Sequence, residues 1–372
     1  MSLAILSRGF FVGDFILRSI AHKWICTVAV ATGAVVLVAA RSVSAIPQGA
    51  GIAEQESAPA GTKGSGARTI TDEAGLRVTI PAQVNRVVSL APNLTETIYA
   101  LGLDAKLVGD TSYCDTPPSA KIKPHVGDTI NPSLEAIVAL HPDLVLATMI
   151  NRIETVEGLS RLGIPVYTTD PHTVRGMLES TQHVAELMGA ADKGTALVAQ
   201  SQGRLDALHA RLADRPLVHV LFVVWVDPLF TIGQNTFIAD ALHWAGAESV
   251  VTSKQDWPQL TFEEVVRLQP EYIVTASAHT GEEGKRSLEE FRARPLWKNL
   301  QAIAAGHVAV ISDEVDKPSP GLIDAIEDLA HQLHPEAFTE KSATNVSHVN
   351  STRWRAPQTR ISANEEATVC AR

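Results

Sequence analysis

The sequence predicts an α/β protein of two lobes with central parallel sheets, joined by one long rigid helix. Three observations predict it. Short apolar runs alternate with amphipathic stretches in two separate blocks, the pattern of parallel strands covered by helices. Between the blocks, about forty residues carry helical spacing and offer no strand. Fifteen residues of the first block, LEAIVALHPDLVLAT (Leu134–Thr148), also return in the second as FEEVVRLQPEYIVTA (Phe262–Ala276), at an offset of 128.

The elements follow in order. RTITDEAGLRVTI has two β-rich arms around a glycine and reads as a hairpin. RVVSL (Arg86–Leu90) is a short apolar run of the kind that forms a buried parallel strand. PNLTETIYALG then reads as a helix, with Asn93 as N-cap, Glu96 three residues on and Gly102 closing it. KLVGD, DLVLAT and IPVYTT are further strands, with helices at Ser133–Leu140 and Ile153–Leu162. From Thr173 to Ala213, Met177, Leu178, Val184, Leu187, Met188, Leu197, Val198, Leu205, Leu208 and Leu212 keep a helical period. That run far exceeds the typical ~11–12 residues, and Gly189 allows a bend. It is too polar to span a membrane and suits a stiff strut between two lobes. After Pro216 the alternation resumes: LVHVLFVVW, EYIVTA and HVAVIS as strands, with helices at Phe237–Trp244, Phe262–Leu268, Leu288–Arg292 and Leu322–Leu333.

The ends stand apart. Arg18 and Lys23 precede an apolar run, Trp24–Ala40, followed by small residues at Val43 and Ala45. This is the order of a secretory signal cut after Ala45, with a retained N-terminal anchor as the alternative reading. Residues 46–68 are rich in Gly, Ala, Ser and Pro and read as a flexible linker. The lobes are assigned to 69–172 and 215–338, the connecting helix to 173–214, and a polar, disordered tail to 339–372. Cys26 lies inside the signal and is poorly placed for lipid attachment; Cys114 and Cys370 would remain, a pair an oxidising compartment would allow to join. The net charge of −10 and the lack of any basic run exclude a nucleic-acid partner. No Gly-x-Ser-x-Gly, phosphate-cradling glycine loop or paired His on a helix at metal spacing is present, so an enzyme is not expected. His331 and His334, near the end of the last helix, read as a solvated cap.

In both copies of the doubled unit a hydroxyl residue, Ser133 or Thr261, stands ready to cap the helix. Leu134, Ile137 and Val138 form an inward stripe, as do Phe262, Val265 and Val266, leaving Glu135 and Glu263 toward solvent. A first-turn glutamate complements the helix dipole, but in the second copy Glu264 already does so.

Six stretches resemble the two-lobed binding proteins of ABC importers for vitamin B12 and iron chelates, the class III periplasmic binding proteins, and most closely their cobalamin branch. They are RVVSLAPNLTETIYALG, TSYCDTPP, LEAIVALHPDLV, VVWVDPLFTIGQNTFIADAL, DWPQLTFEEVVRLQPEYIV and PSPGLIDAIEDLAHQLHPEAF. The resemblance implies two α/β lobes on one rigid helix, and a monomer that captures cargo without chemistry. It implies a permease dimer with its ATPase as partner, met by Glu135 and Glu263, and no cofactor other than the transported corrinoid. Twin acids suit a twofold-symmetric partner. Tyr113, Phe230 and Trp257 match ligand-contacting aromatics, and Lys317 matches a basic residue facing the ligand. Thr129 stands where some cobalamin binders carry an aromatic, which leaves a cobinamide or an iron chelate open beside cobalamin; an iron-siderophore or haem is the alternative cargo of the same family.

Overall fold

The structure, a computed structural model, describes residues 66–277 and 289–339. The signal, the linker up to Ser65 and the tail from Glu340 lie outside the described residues.

The first lobe opens with the expected hairpin, β1 (Arg68–Thr71) against β2 (Arg77–Ile80). Its sheet holds β3 (Val87–Ser89), β4 (Leu107–Gly109), β5 (Leu144–Thr148) and β6 (Val166–Thr169), all parallel, in the order β4-β3-β5-β6. Helices α1 (Pro92–Ala100), α2 (Leu134–Ala139) and α3 (Ile153–Arg161) make the crossovers. After α4 (Val174–Leu187) and α5 (Ala191–Leu212), the second lobe begins with β7 (Val218–Val223) and a small hairpin, β8 (Trp225–Val226) and β9 (Leu229–Phe230). Then come α6 (Phe237–Trp244), β10 (Ala247–Ser249), α7 (Phe262–Leu268), β11 (Tyr272–Ser277), a helical turn at 289–293, α8 (Gln301–Ala305), β12 (Val308–Ser312) and α9 (Leu322–Leu333). The second parallel sheet runs β10-β7-β11-β12. Counted along each lobe, both sheets have the strand order second, first, third, fourth.

The strands read as unbroken apolar runs because each face of each sheet carries its own core. Val87, Leu144, Leu146 and Tyr167 enter one core; Val88, Val145, Ala147 and Val166 enter the other. In the second lobe Val220, Phe222 and Val274 alternate in the same way with Leu221, Val223 and Ile273.

The doubled sequence is a doubled structure. Ser133 caps α2 by accepting from the Ala136 amide, and Thr261 caps α7 in a full capping box with Glu264. His141 and Gln269, which share a position in the two copies, both end their helix in the left-handed region, with φ of 46 and 49. Neither is glycine, and in each copy a proline follows and prevents any return to helix. Leu144 sits opposite Val87 in the first sheet, and its counterpart Tyr272 opposite Val220 in the second.

Three expectations change. The N-cap of α1 is Ala91, not Asn93; Pro92 takes the first helical position, where its missing N–H costs nothing. The run 173–214 is two helices rather than one, broken at Met188–Ala190, where Gly189 takes a φ of 71. They pack against each other: a Cβ at Gly194 would lie 2.6 Å from that of Ala185, and Thr195 donates to Gln182. Val174, Met177 and Leu178 start α4 in the second lobe's core, while Val184, Leu187 and Met188 end it in the first's. The 22-residue α5 returns, with Leu197 in the first core and Leu205, Leu208 and Leu212 in the second. The strut is therefore a helical hairpin whose longer arm spans both cores. Finally, His334 is buried and bonded to the Gly246 carbonyl at 3.0 Å, while His331 stacks on Phe338. No helix among the described residues is long and apolar enough to cross a membrane.

Candidate ligand cleft and docking surface

In open parallel sheets, loops at the carboxyl ends of the strands build the binding crevice. Tyr113 follows β4 and is 47% exposed. Its loop is pinned from below, where the Ser112 amide donates to Gly127 and the Cys114 amide to Thr111. Cys114 itself is a buried free thiol between the Thr95 and Thr111 hydroxyls, and burial pushes it up to about 11. Cys370 lies outside the described residues.

Phe230 and Trp257 come together through their backbones. The loop carrying Trp257 runs beside β9: Leu260 donates to Leu229, Thr231 to Pro258, and Gly233 to Asp256. The approach is so close that a Cβ at Gly233 would overlap the Gln255 carbonyl, so only glycine fits. Trp257 is half-buried, but Phe230 is 2% exposed and presents no open ring face in this structure. Thr129 is buried inside the first lobe, beside Thr111, with its carbonyl taken by the Asn151 amide. Trp225 starts the β8–β9 hairpin and bonds the Asp227 carbonyl, a structural role.

The loop after β12 crosses the interface between the lobes. Lys317, for which the resemblance implies a place facing the ligand, has its ammonium 2.8 Å from Glu96 on α1 of the first lobe and 2.8 Å from Glu314. Ser319 donates to the second oxygen of Glu96 at 2.7 Å. Burial, with Glu314 close by, raises the Glu96 pKa against the pull of Lys317. Burial would lower Lys317, but Glu96, Glu314 and Asp313 overcome it and raise its pKa. Burial also raises the Asp313 pKa, against the pull of Lys317.

Sequence reasoning missed Glu96 and Ser319 as a pair across the lobes, because it assigns Glu96 to a helix cap. The one signal was a charged residue among the apolar and hydroxyl residues of PNLTETIYALG. Met149 and Ile150 are exposed apolar residues at the carboxyl end of β5, beside Asn151, which bonds Thr148, Leu90 and Thr129.

Glu135 and Glu263 are both exposed, on the first turns of α2 and α7. Glu135 accepts from the Ser133 hydroxyl at 3.0 Å, and backbone and Ser133 hydrogen bonds lower its pKa. Ile137 and Val265 are fully buried as expected, but Val138 and Val266 are 37% and 42% exposed. Each copy thus presents an acid and, one turn on, a bare valine.

Two α/β lobes of equal topology joined by a packed helical hairpin define the architecture of a two-lobed solute-binding protein. The chain belongs to the periplasmic binding protein family, whose profile matches residues 87–315. It is 31% identical over 281 residues to the uncharacterised ABC transporter substrate-binding lipoprotein YvrC of Bacillus subtilis, covering 73% of this chain and 87% of that one. It is 28% identical to the vitamin B12-binding protein of Vibrio parahaemolyticus, covering 65% of this chain and 87% of the relative. Among solved structures, the periplasmic vitamin B12 binding protein BtuF of Vibrio cholerae superimposes with a TM-score of 0.61 at 25% identity, over 69% of this chain and 99% of that one. The chain is an ABC transporter substrate-binding protein, a non-catalytic class whose working partners are a permease and its ATPase.

Proposed function

We propose that the protein is exported to the periplasm, binds a corrinoid in the crevice between its lobes and delivers it to the permease. Tyr113 and Trp257 supply ring faces to a broad, apolar ligand. Phe230 joins them only if the β8–β9 hairpin or the facing lobe moves, and Lys317 only if Glu96 releases it. The observation that carries the cargo class is the charge at the interface. Glu96 and Glu314 hydrogen-bond the Lys317 ammonium at 2.8 Å and Asp313 lies 3.9 Å from it, so this cation is already committed within the protein. An acid-rich interface whose lysine is already engaged offers little to an anionic chelate, oxyanion or haem carboxylates, and suits a corrin ring with neutral amide arms. The vitamin B12-binding relatives support the same cargo. Glu135 and Glu263, each beside an exposed valine, are the proposed permease contacts.

The test is a titration with cyanocobalamin, dicyanocobinamide, haem and a ferric siderophore, followed by tryptophan fluorescence. Saturable quenching by a corrinoid at micromolar or lower concentration supports the proposal. Tighter binding of haem or the siderophore overturns it.

A further inference from the structure

From its place at the lobe interface, we infer that Glu96 is the positioning residue of the cleft: a clasp from the first lobe that sets lobe spacing and holds Lys317 away from the ligand before binding. Glu96 is rooted in α1, just past the carboxyl end of β3, and is almost fully buried. Both its oxygens are used by the second lobe: one takes the Lys317 ammonium at 2.8 Å, the other the Ser319 hydroxyl at 2.7 Å. The receiving loop is built for this contact. Ser319 is fully buried, Glu314 takes a second bond from Lys317, and a Cβ at Gly321 would collide with the Glu314 carboxylate. A buried carboxyl group on one lobe is satisfied only while the other lobe supplies its hydrogen-bond partners. Separating the lobes by even the length of a hydrogen bond breaks both of these bonds. The clasp, as well as the helical hairpin, therefore resists opening, and a ligand reaches Lys317 only by outcompeting Glu96.

The withdrawal of Lys317 from the ligand rests on the proposed cleft; the control of lobe spacing does not, and is tested without any ligand. Nitroxide labels are attached through an unnatural keto amino acid at Glu157 on α3 and His243 on α6, both exposed on the outer helices of opposite lobes. Their distance distribution is measured by pulsed electron resonance in the full chain, with native Glu96, Glu96→Ala, Lys317→Met and the double variant. The expected result is one narrow distribution for the native chain and one about twice as wide, extended to longer distances, for Glu96→Ala. Lys317→Met should widen it in the same sense, and the double variant no further than Glu96→Ala alone, because the two residues act as one unit. A residue that only stabilised α1 would lower the melting temperature and leave the distances in the folded fraction unchanged. Distributions for Glu96→Ala and the native chain that superimpose overturn the clasp, as does additive widening in the double variant. Absence of corrinoid binding would count against the proposed cargo and leave the clasp untouched.

Discussion

Arg204 lies midway along α5, between Leu197 in the first lobe's core and Leu208 in the second's. Its guanidinium bonds Glu327 at 2.9 and 2.6 Å and Asp324 at 2.5 Å, anchoring the long arm of the strut to α9. Arg204→Met keeps much of the apolar stem and removes the fork, leaving two carboxylates one turn apart on α9. Exposed pairs contribute about 0.2–1 kcal/mol, and breaking a buried one costs about 3–5 kcal/mol. Arg204 is 22% exposed and its partners 38% and 34%, so this network falls between those limits, at about 2 kcal/mol. For a folded region of this size that corresponds to a melting temperature lower by about 4 °C. Thermal unfolding by far-ultraviolet circular dichroism measures it, first at low ionic strength and then in molar salt. There the screening length falls to about 3 Å and the deficit should shrink. A deficit below about 1 °C, or one indifferent to salt, refutes the assignment of this network as the strut's anchor.

Gly194→Val drives a side chain into Ala185 and Gln182 and should cost about 1–3 kcal/mol by forcing the helical hairpin apart, read from denaturant unfolding. Glu73 accepts from His183, Ser180 and the Asp170 amide, tying the first hairpin to α4; despite burial, these bonds lower Glu73 below its ordinary 4.5, and the Glu73 bond raises His183 above its ordinary 6.5. The Glu73 contribution is full above 4.5 and lost as pH falls through its lowered value. The His183 contribution is full below 6.5 and lost as pH rises through its raised value. The melting-temperature gap between native chain and Glu73→Gln should therefore be widest between pH 4.5 and 6.5 and narrow on both sides. Glu135→Arg with Glu263→Arg should cut uptake into whole cells while leaving ligand affinity within about twofold; unchanged uptake would remove both residues from the docking surface. Small-angle scattering should show little compaction on ligand addition, since two packed helices and a clasp join the lobes; a large compaction would contradict that rigidity.

Much of this fold could be read from the sequence because its strands are buried on both faces. Runs such as DLVLAT and LVHVLFVVW then have few alternatives. The helices at Phe237–Trp244, Phe262–Leu268 and Leu322–Leu333 carry strong stripes or caps and fall where expected. The short β8, β9 and β10 carry little pattern of their own and follow from the neighbours they pair with. The strut reads as continuous in the sequence because two antiparallel helices sharing one interface keep the same apolar period as one. Only the left-handed Gly189 marks the fold-back. Val138 and Val266 read as inward because helical period alone cannot tell a stripe's last buried position from its first exposed one. For the candidate cleft, Pro and Gly punctuation marks the loops in the sequence, but not which side chain meets which. The pairing of Glu96 with Lys317 spans 221 residues and leaves no local trace.

The most direct test of capture at the lobe interface is a cyanocobalamin titration of Trp257→Leu beside the native chain, read by intrinsic fluorescence. The other tryptophans, among them Trp225, Trp244 and Trp297, remain in both. Loss of most of the ligand-dependent quenching, with affinity weakened by about tenfold and melting temperature nearly unchanged, is the expected result. Quenching and affinity equal to those of the native chain would place the ligand elsewhere and contradict the cleft.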